Sequence, residues 1–193
     1  MNKYEITTEK KKKSIVNAAL ALFKENGFTS VSIKEIAALA QVSQVSIYNY
    51  FGSKETLVAE CVNVVMRDTF KQATDILAME LDFTEKIKSA LSLCTEKINL
   101  SISEFFTQKA LSDPSFVELL TKNLNENKNK IYREYIELGK REKVIDNTIP
   151  TETLVCYIEA LHIMGSKLEF DNDTPENIQY IHHLFLYGLI GKE

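Results

Sequence analysis

Apolar residues recur along this chain at intervals of three and four rather than two. That is the spacing of helices that bury one face. Punctuation is densest between Val31 and Glu60. Ser32 and Glu35 stand three apart ahead of Ile36, Ala37, Leu39 and Ala40. The Ser-x-x-Glu pair is a capping box, so a helix is predicted from Ile33 with those four residues as its apolar face. Gln41-Val42-Ser43 breaks that helix, and Ser43 is a plausible N-cap for a second one through Ser46, Ile47, Tyr48 and Tyr50. Gly52-Ser53 breaks again, and Ser53 caps a third, longer helix. Helix, three-residue turn, helix is the helix-turn-helix arrangement, whose second helix can enter a DNA major groove.

The same pattern organises the rest of the chain. A first helix is predicted from about Lys10 to Asn26, with Ile15, Ala19, Leu22 and Phe23 near one face. Gly27 suits the position just past its end, and Phe28 can fold back on the last turn. From Ser53 to about Leu81 there is no Gly or Pro. A helix of that length is about 40 Å long, a rod between two domains with their boundary near Glu60. Five more helices come after it. One runs from Thr84 to about Leu100, and a capping box at Ser101 and Glu104 opens the next. Asp113-Pro114 starts a helix reaching about Lys140, through a run of Asn123, Asn125, Asn127 and Asn129. Pro150-Thr151 and Thr174-Pro175 open the last two. The expected fold is all-α, with about nine helices. Residues 1–9 form a flexible arm, 10–60 a helix-turn-helix domain, and 61–193 a helical domain for ligand binding and dimerisation.

Composition supports this division and adds a charge asymmetry. The chain has 193 residues, 45% apolar and 26% charged, with three prolines and six glycines. Residues 1–60 hold eight lysines against six glutamates, a net +2; residues 61–193 hold 15 basic and 21 acidic side chains, a net −6. Lys10 to Lys13 lie together in the positive part. The sign is right for phosphate contact at one end of the molecule. Cys61, Cys94 and Cys156 are odd in number and far apart, which favours a reducing compartment over a disulfide framework. No run of about 18 apolar residues predicts a membrane span. The N-terminal stretch has no apolar core of a secretory signal. A cytoplasmic protein is the expectation.

Catalysis and metal binding find no pattern. His162, His182 and His183 are the three histidines, and no Cys or His pair stands at i, i+3 or i, i+4. No glycine-rich phosphate loop, acid pair or nucleophile–base spacing is present. Neither an enzyme nor a cofactor is expected, and no metal site.

The run S-I-K-E-I-A-x-x-A-x-V-S-x-x-S-I-Y-x-Y-F-x-S-K-E-x-L, preceded by a helix ending in Gly27-Phe28, resembles the DNA-binding domain of the TetR family of bacterial regulators. The resemblance covers about residues 10–60. Beyond it, the chain is similar to the family only in length, helical character and a final pair of apolar helices. Gln41 departs from the pattern at a turn position that often holds Gly, and Asn49 stands where His or an aromatic is usual.

The resemblance implies that Gln44, Val45, Ser46, Tyr48, Asn49 and Tyr50 lie on or near the recognition helix. Chemistry then suggests roles. Gln44 and Asn49 can each pair bidentately with adenine, and Val45 can touch a thymine methyl. Ser46 and Tyr48 suit phosphate oxygens, which fix register. Lys54 stands at a helix start, where ammonium and helix N-terminus act together on a phosphate. Ser32 and Lys34 should touch backbone or groove edge. Each has a plainer reading. Ser32, Ser43 and Ser53 serve as caps, Tyr50 as core, and Lys10 to Lys13 as a solvated basic arm.

In this family the second domain holds an apolar pocket for a small inducer. Phe70, Leu91, Cys94, Phe105, Phe106, Leu120, Tyr132 and Tyr135 are candidate lining, although each reads as core when taken singly. The last two helices are the expected dimer interface, through Tyr157, Leu161, His162, Gly165, Ile181, His182, Phe185 and Gly188. Two such helices from each subunit make a four-helix bundle. The expected function is a homodimeric, ligand-responsive repressor on a pseudo-palindromic double-stranded DNA operator. The alternatives are a DNA-bound adaptor controlled by a protein partner, with no small-molecule pocket, and an all-helical enzyme with a vestigial DNA-binding head.

Overall fold

The computed structural model describes residues 3–167 and Leu184, with backbone alone at 3, 4, 91, 92, 94–100 and 161–167. Every regular element among the described residues is a helix. In order they are α1 (Lys3–Asn26), α2 (Ile33–Ala40), α3 (Gln44–Phe51), α4 (Lys54–Leu77), α5 (Phe83–Phe105), α6 (Gln108–Leu111), α7 (Pro114–Arg141) and α8 (Thr151–Lys167). The all-α architecture is as expected. The helix predicted from Thr174, with Ile181, His182, Phe185 and Gly188, lies outside the described residues.

Boundaries differ from the sequence pattern in three places. Helix α1 reaches back to Lys3, through residues expected as an arm. Nothing in that stretch breaks a helix: Glu5 sits favourably in the first turn, and Glu9 lies 3.4 Å from Lys12 one turn on. Helix α4 stops at Leu77 rather than Leu81. Its last amides tighten onto carbonyls three residues back, Ala78 to Asp75 and Met79 to Ile76. Asp82 then caps α5: its carboxylate accepts from the Glu85 amide at 2.9 Å, and Glu85 accepts from the Asp82 amide at 3.3 Å. Finally, Ser101 and Glu104 do not open a helix. Helix α5 runs through them, and the Phe106 amide still reaches the Ile102 carbonyl at 3.0 Å. An N-cap must stand outside helical backbone geometry, and a continuous ladder leaves Ser101 inside it. The cap that does act is Thr107, whose hydroxyl accepts from Ala110 N at the start of α6.

The chain packs as two units, residues 1–68 with 97–126, and residues 69–96 with 127–193. Segments of α4, α5 and α7 belong to each. The first unit therefore takes in α6 and the start of α7, in addition to the helices that the sequence groups within residues 10–60. Its core joins Ile15, Ala19 and Phe23 of α1, Ile36 of α2, Ile47 of α3, Leu57, Val58 and Val62 of α4, and Phe116 and Leu120 of α7, all buried. The second unit is built on Phe83, Ile87, Tyr132, Tyr135, Ile136, Ile145, Leu154, Val155 and Ile158. Tyr135 buries its hydroxyl by donating to the Ala73 carbonyl at 2.7 Å. At Gly139 a side chain has no room, because Ile145 and Phe83 approach to 2.7 Å of where a Cβ would sit.

Gly27 ends α1 with φ +73°, and a Cβ there would lie 2.9 Å from Asp113 Cβ. Left-handed backbone alone costs a non-glycine residue about 1–2 kcal/mol. Gly27→Ala is expected to lose more than that in a urea unfolding titration. A loss confined to about 1–2 kcal/mol would show that the approach of Asp113 is immaterial.

Candidate nucleic-acid interface

Two eight-residue helices meet across residues 41–43, and both are held by their caps. Ser32 Oγ accepts from Glu35 N at 3.2 Å, while Glu35 Oε2 accepts from Ser32 N at 2.7 Å and Ser32 Oγ at 2.6 Å. These hydrogen bonds from Ser32, side chain first, hold the Glu35 carboxyl below its ordinary range. Gln41 takes the left-handed conformation, φ 55° and ψ 44°. Its amide and that of Val42 return to Ala38 and Ala37 carbonyls at 3.3 and 3.0 Å. Ser43 Oγ accepts from Ser46 N at 3.1 Å and shares a 2.8 Å hydrogen bond with Ser46 Oγ. Gly52 closes α3, its amide 2.8 Å from the Tyr48 carbonyl. Ser53 caps α4 by accepting from Thr56 N at 3.1 Å.

Packing decides which face of α3 is free. Ile47 is fully buried and anchors the helix. Gln44, Val45, Tyr48 and Asn49 are exposed, with Val45 at 65% and Tyr48 at 50%. Ser46 and Tyr50 are half-buried, and Ser46 is already engaged by Ser43. Lys34 on α2 and its N-cap Ser32 are exposed. Leu39 corrects the sequence reading. The pattern of apolar positions puts it on the inward face of α2, yet it is 54% exposed. The buried stripe is Ile33, Ile36, Ala37 and Ala40, and a 100° step per residue turns Leu39 away from it. An exposed leucine beside the turn is a candidate contact that hydrophobicity alone concealed. Ser14 Oγ donates to the Ala40 carbonyl at 3.1 Å. This ties α1 to the end of α2 one turn beyond the exposed Lys10, Lys11 and Lys13.

Lys54 opens α4, where a cation opposes the helix dipole. Its ammonium donates to the Phe28 carbonyl at 2.5 Å and lies 3.9 Å above the Phe28 ring. Burial lowers its pKa, with Glu55, Asp113 and Glu35 opposing. Asp113 grips the next residue. It accepts from Thr29 N at 2.6 Å and Thr29 Oγ1 at 3.0 Å, while capping α7 through Phe116 N at 3.2 Å. Burial raises the Asp113 pKa, but the hydrogen bonds from Thr29, Phe116 and Phe28 outweigh it and leave the carboxyl below its ordinary range.

The residues expected to line an inducer pocket do not form one cluster within either unit. Phe105, Phe106 and Leu120 belong to the first unit, where Phe106 meets Phe105 at 4.9 Å and Phe116 at 5.1 Å between ring centroids. Phe70, Tyr132 and Tyr135 belong to the second, the two tyrosines buried in its core. The side chains of Leu91 and Cys94 lie outside the described residues, as do those of Leu161, His162 and Gly165 on α8. Tyr157 is half-buried against the second core. A surface groove of about 370 Å³ in the second unit is lined by Leu77, Arg133, Glu134, Glu137, Leu138 and Arg141. Arg133 is held there by a bidentate pair with Glu152, both contacts 2.8 Å. Burial pushes the Cys61 thiol well above its ordinary pKa. Among the described residues no group of His, Cys, Asp or Glu could hold a metal, and no helix is long and apolar enough to cross a membrane.

Comparison with known proteins gives this geometry a context. The family model for bacterial regulatory proteins of the tetR family matches residues 15–61. YuxN, a helix-turn-helix transcriptional regulator of Bacillus subtilis, is 37% identical over 68 residues, 35% of this chain and 23% of that protein. The repressor KstR2 of Rhodococcus jostii is 29% identical over 89 residues, 46% of this chain and 44% of that protein. The chain thus spans less than half the length of these two curated relatives. Among solved structures, FadR of Bacillus subtilis, determined in complex with stearoyl-CoA, matches with a TM-score of 0.52 at 16% identity. The match covers 93% of this chain and 97% of that one, a likeness of fold.

The depressed Asp113 pKa has a consequence for stability. The folded chain binds that proton less readily than the unfolded chain, so the contribution is complete above the ordinary carboxylate range and fades as pH falls below it. Asp113→Asn should therefore flatten the decline in melting temperature between roughly pH 5 and pH 2. Parallel curves for the two proteins would remove Asp113 from the acid response.

Proposed function

Because the chain belongs to the TetR family of bacterial regulatory proteins, we propose that it binds an operator as a homodimer and represses transcription until a small molecule releases it. One observation carries the DNA-binding part. Helix α3 is anchored by the fully buried Ile47 and leaves Gln44, Val45, Tyr48 and Asn49 exposed on its other side. Such a helix presents base-reading chemistry on a rigid support. Gln44 and Asn49 pair with adenine, and Val45 meets a thymine methyl. Tyr48 and Ser46 reach phosphates, with Ser32 and Lys34 at the groove edge. Two copies face the two halves of a pseudo-palindrome. The interface between copies is formed by α8 and the helix predicted after it, through Tyr157, Leu161, His162, Gly165, Ile181, His182, Phe185 and Gly188.

Ligand control is part of the same proposal. The FadR of similar fold was determined with stearoyl-CoA, which makes a small-molecule effector a reasonable partner for this chain. A ligand shifts the dimer between geometries only by its differential affinity for them. A second reading, control by a protein partner, is favoured by the packing of Phe106, Leu120, Tyr132 and Tyr135. All four are buried in core clusters.

Footprinting on a duplex of the protein's own promoter region tests the main reading. Protection of a two-fold related pair of sites is expected, and no preference over random duplex would overturn it. Gln44→Ala should cost ~1–3 kcal/mol on the protected site and relax preference at one base pair. Tyr48→Phe should weaken specific and random binding alike. Equal losses on both duplexes for Gln44→Ala would remove its base-reading role.

A further inference from the structure

We infer that Lys54 and Asp113 are positioning residues for the reading head, holding the corner between α1 and α2 from two sides. This rests on the DNA-binding reading above. It gives Lys54 a different task from the phosphate contact that its place at a helix start suggests. The corner is Gly27-Phe28-Thr29. From α4, the Lys54 ammonium takes the Phe28 carbonyl and covers the Phe28 ring, with the Phe23 ring 5.9 Å away. From the start of α7, the Asp113 carboxylate takes the amide and hydroxyl of Thr29. Gly27 admits this approach because it has no Cβ. Thr107 adds a third tie, its amide and hydroxyl donating to the Lys24 carbonyl at 3.0 and 3.1 Å.

The physical case is one of unmet ends. The last carbonyls of α1 have no partners within the helix. Past them, in the turn, the Phe28 carbonyl accepts from the Val31 amide at 3.3 Å and from Lys54, whose ammonium is turned toward it rather than outward. A lysine at the first position of α4 otherwise stands at the wrong end of its own dipole. The contact with the Phe28 carbonyl offsets that position. Asp113 serves two places at once, accepting from the Thr29 amide in the turn after α1 and from the Phe116 amide in the first turn of α7. The direction in which α2 leaves α1 is thus set by side chains from α4 and α7. Asp113 lies outside residues 15–61, the stretch that carries the family signature.

The test separates a clamp from a phosphate ligand. Lys54→Met keeps the stem and removes the charge and donor. It should lower the melting temperature and weaken binding to the promoter-region duplex by on the order of tenfold. Random-duplex affinity and the slope of log K against log salt should stay as in the wild type. Lys54→Arg should restore both lost properties, and Asp113→Ala should reproduce the pattern of Lys54→Met. A phosphate ligand behaves otherwise: the salt slope falls by about 0.9, random and promoter duplexes weaken together, and melting is unmoved. That result, or no effect of any kind, would overturn the inference. Wild-type protein supplies an arm that needs no variant to fold. Compared at equal fractions of unprotonated amine, Lys54 should react with an acetylating reagent severalfold more slowly than Lys34 in the free protein, and duplex should leave the Lys54 rate unchanged. Equal reactivity in the free protein, with protection by duplex, would also overturn it. If the wild type shows no preference for promoter over random duplex, the regulator reading fails, while the melting and acetylation arms still decide the clamp.

Discussion

A left-handed residue at the end of α1 sets the terms for the first unit. Gly27 turns the chain at φ +73° and leaves room where a side chain would meet Asp113 and the Ala110 carbonyl. Around that turn the chain's polar groups find partners from elsewhere. Lys24, Phe28 and Thr29 are met by Thr107, Lys54 and Asp113. Phe28, Phe23, Phe116, Phe106 and Phe105 succeed one another with ring centroids 4.9 to 6.3 Å apart. Tilted and edge-on aromatic contacts of this kind stabilise beyond their buried area. The apolar run and the polar ties coincide at one corner, so a change to either is felt by both.

Helices α2 and α3 depend on that support. Each has eight residues, and isolated helices shorter than about 12–15 residues are marginal in water. They are held by capping at Ser32 and Ser43 together with burial of Ile33, Ile36 and Ile47. Gln41 bears a left-handed backbone that glycine would take without strain, and the two amides bonded back into α2 offset that cost. A net charge of only +2 over residues 1–60 gives little unspecific hold on phosphates.

Sequence reading succeeded where the signal was local. The Ser32–Glu35 box, the Ser43 cap, the Gly27 and Gly52 stops and the Asp113-Pro114 start all depend on residues within a few positions of one another. Local signals also misled. Ser101 and Glu104 match a capping box, yet the ladder of α5 continues through them; Asp82 and Glu85 carry the same spacing and do cap. Leu39 is apolar and falls one turn from buried neighbours, but its angle around α2 leaves it exposed.

The sequence by itself determined the helical class, most helix ends and the helix-turn-helix, because periodicity and capping act over a single turn. Tertiary structure alone decided that α6 and the start of α7 join the first unit. It also decided that Phe106 and Leu120 pack within the first unit, apart from Tyr132 and Tyr135 in the second, and that the Lys54 ammonium faces a carbonyl. Each of those outcomes depends on contacts between residues tens of positions apart. No spacing in the chain encodes which distant helix end will come to meet a lysine or an aspartate.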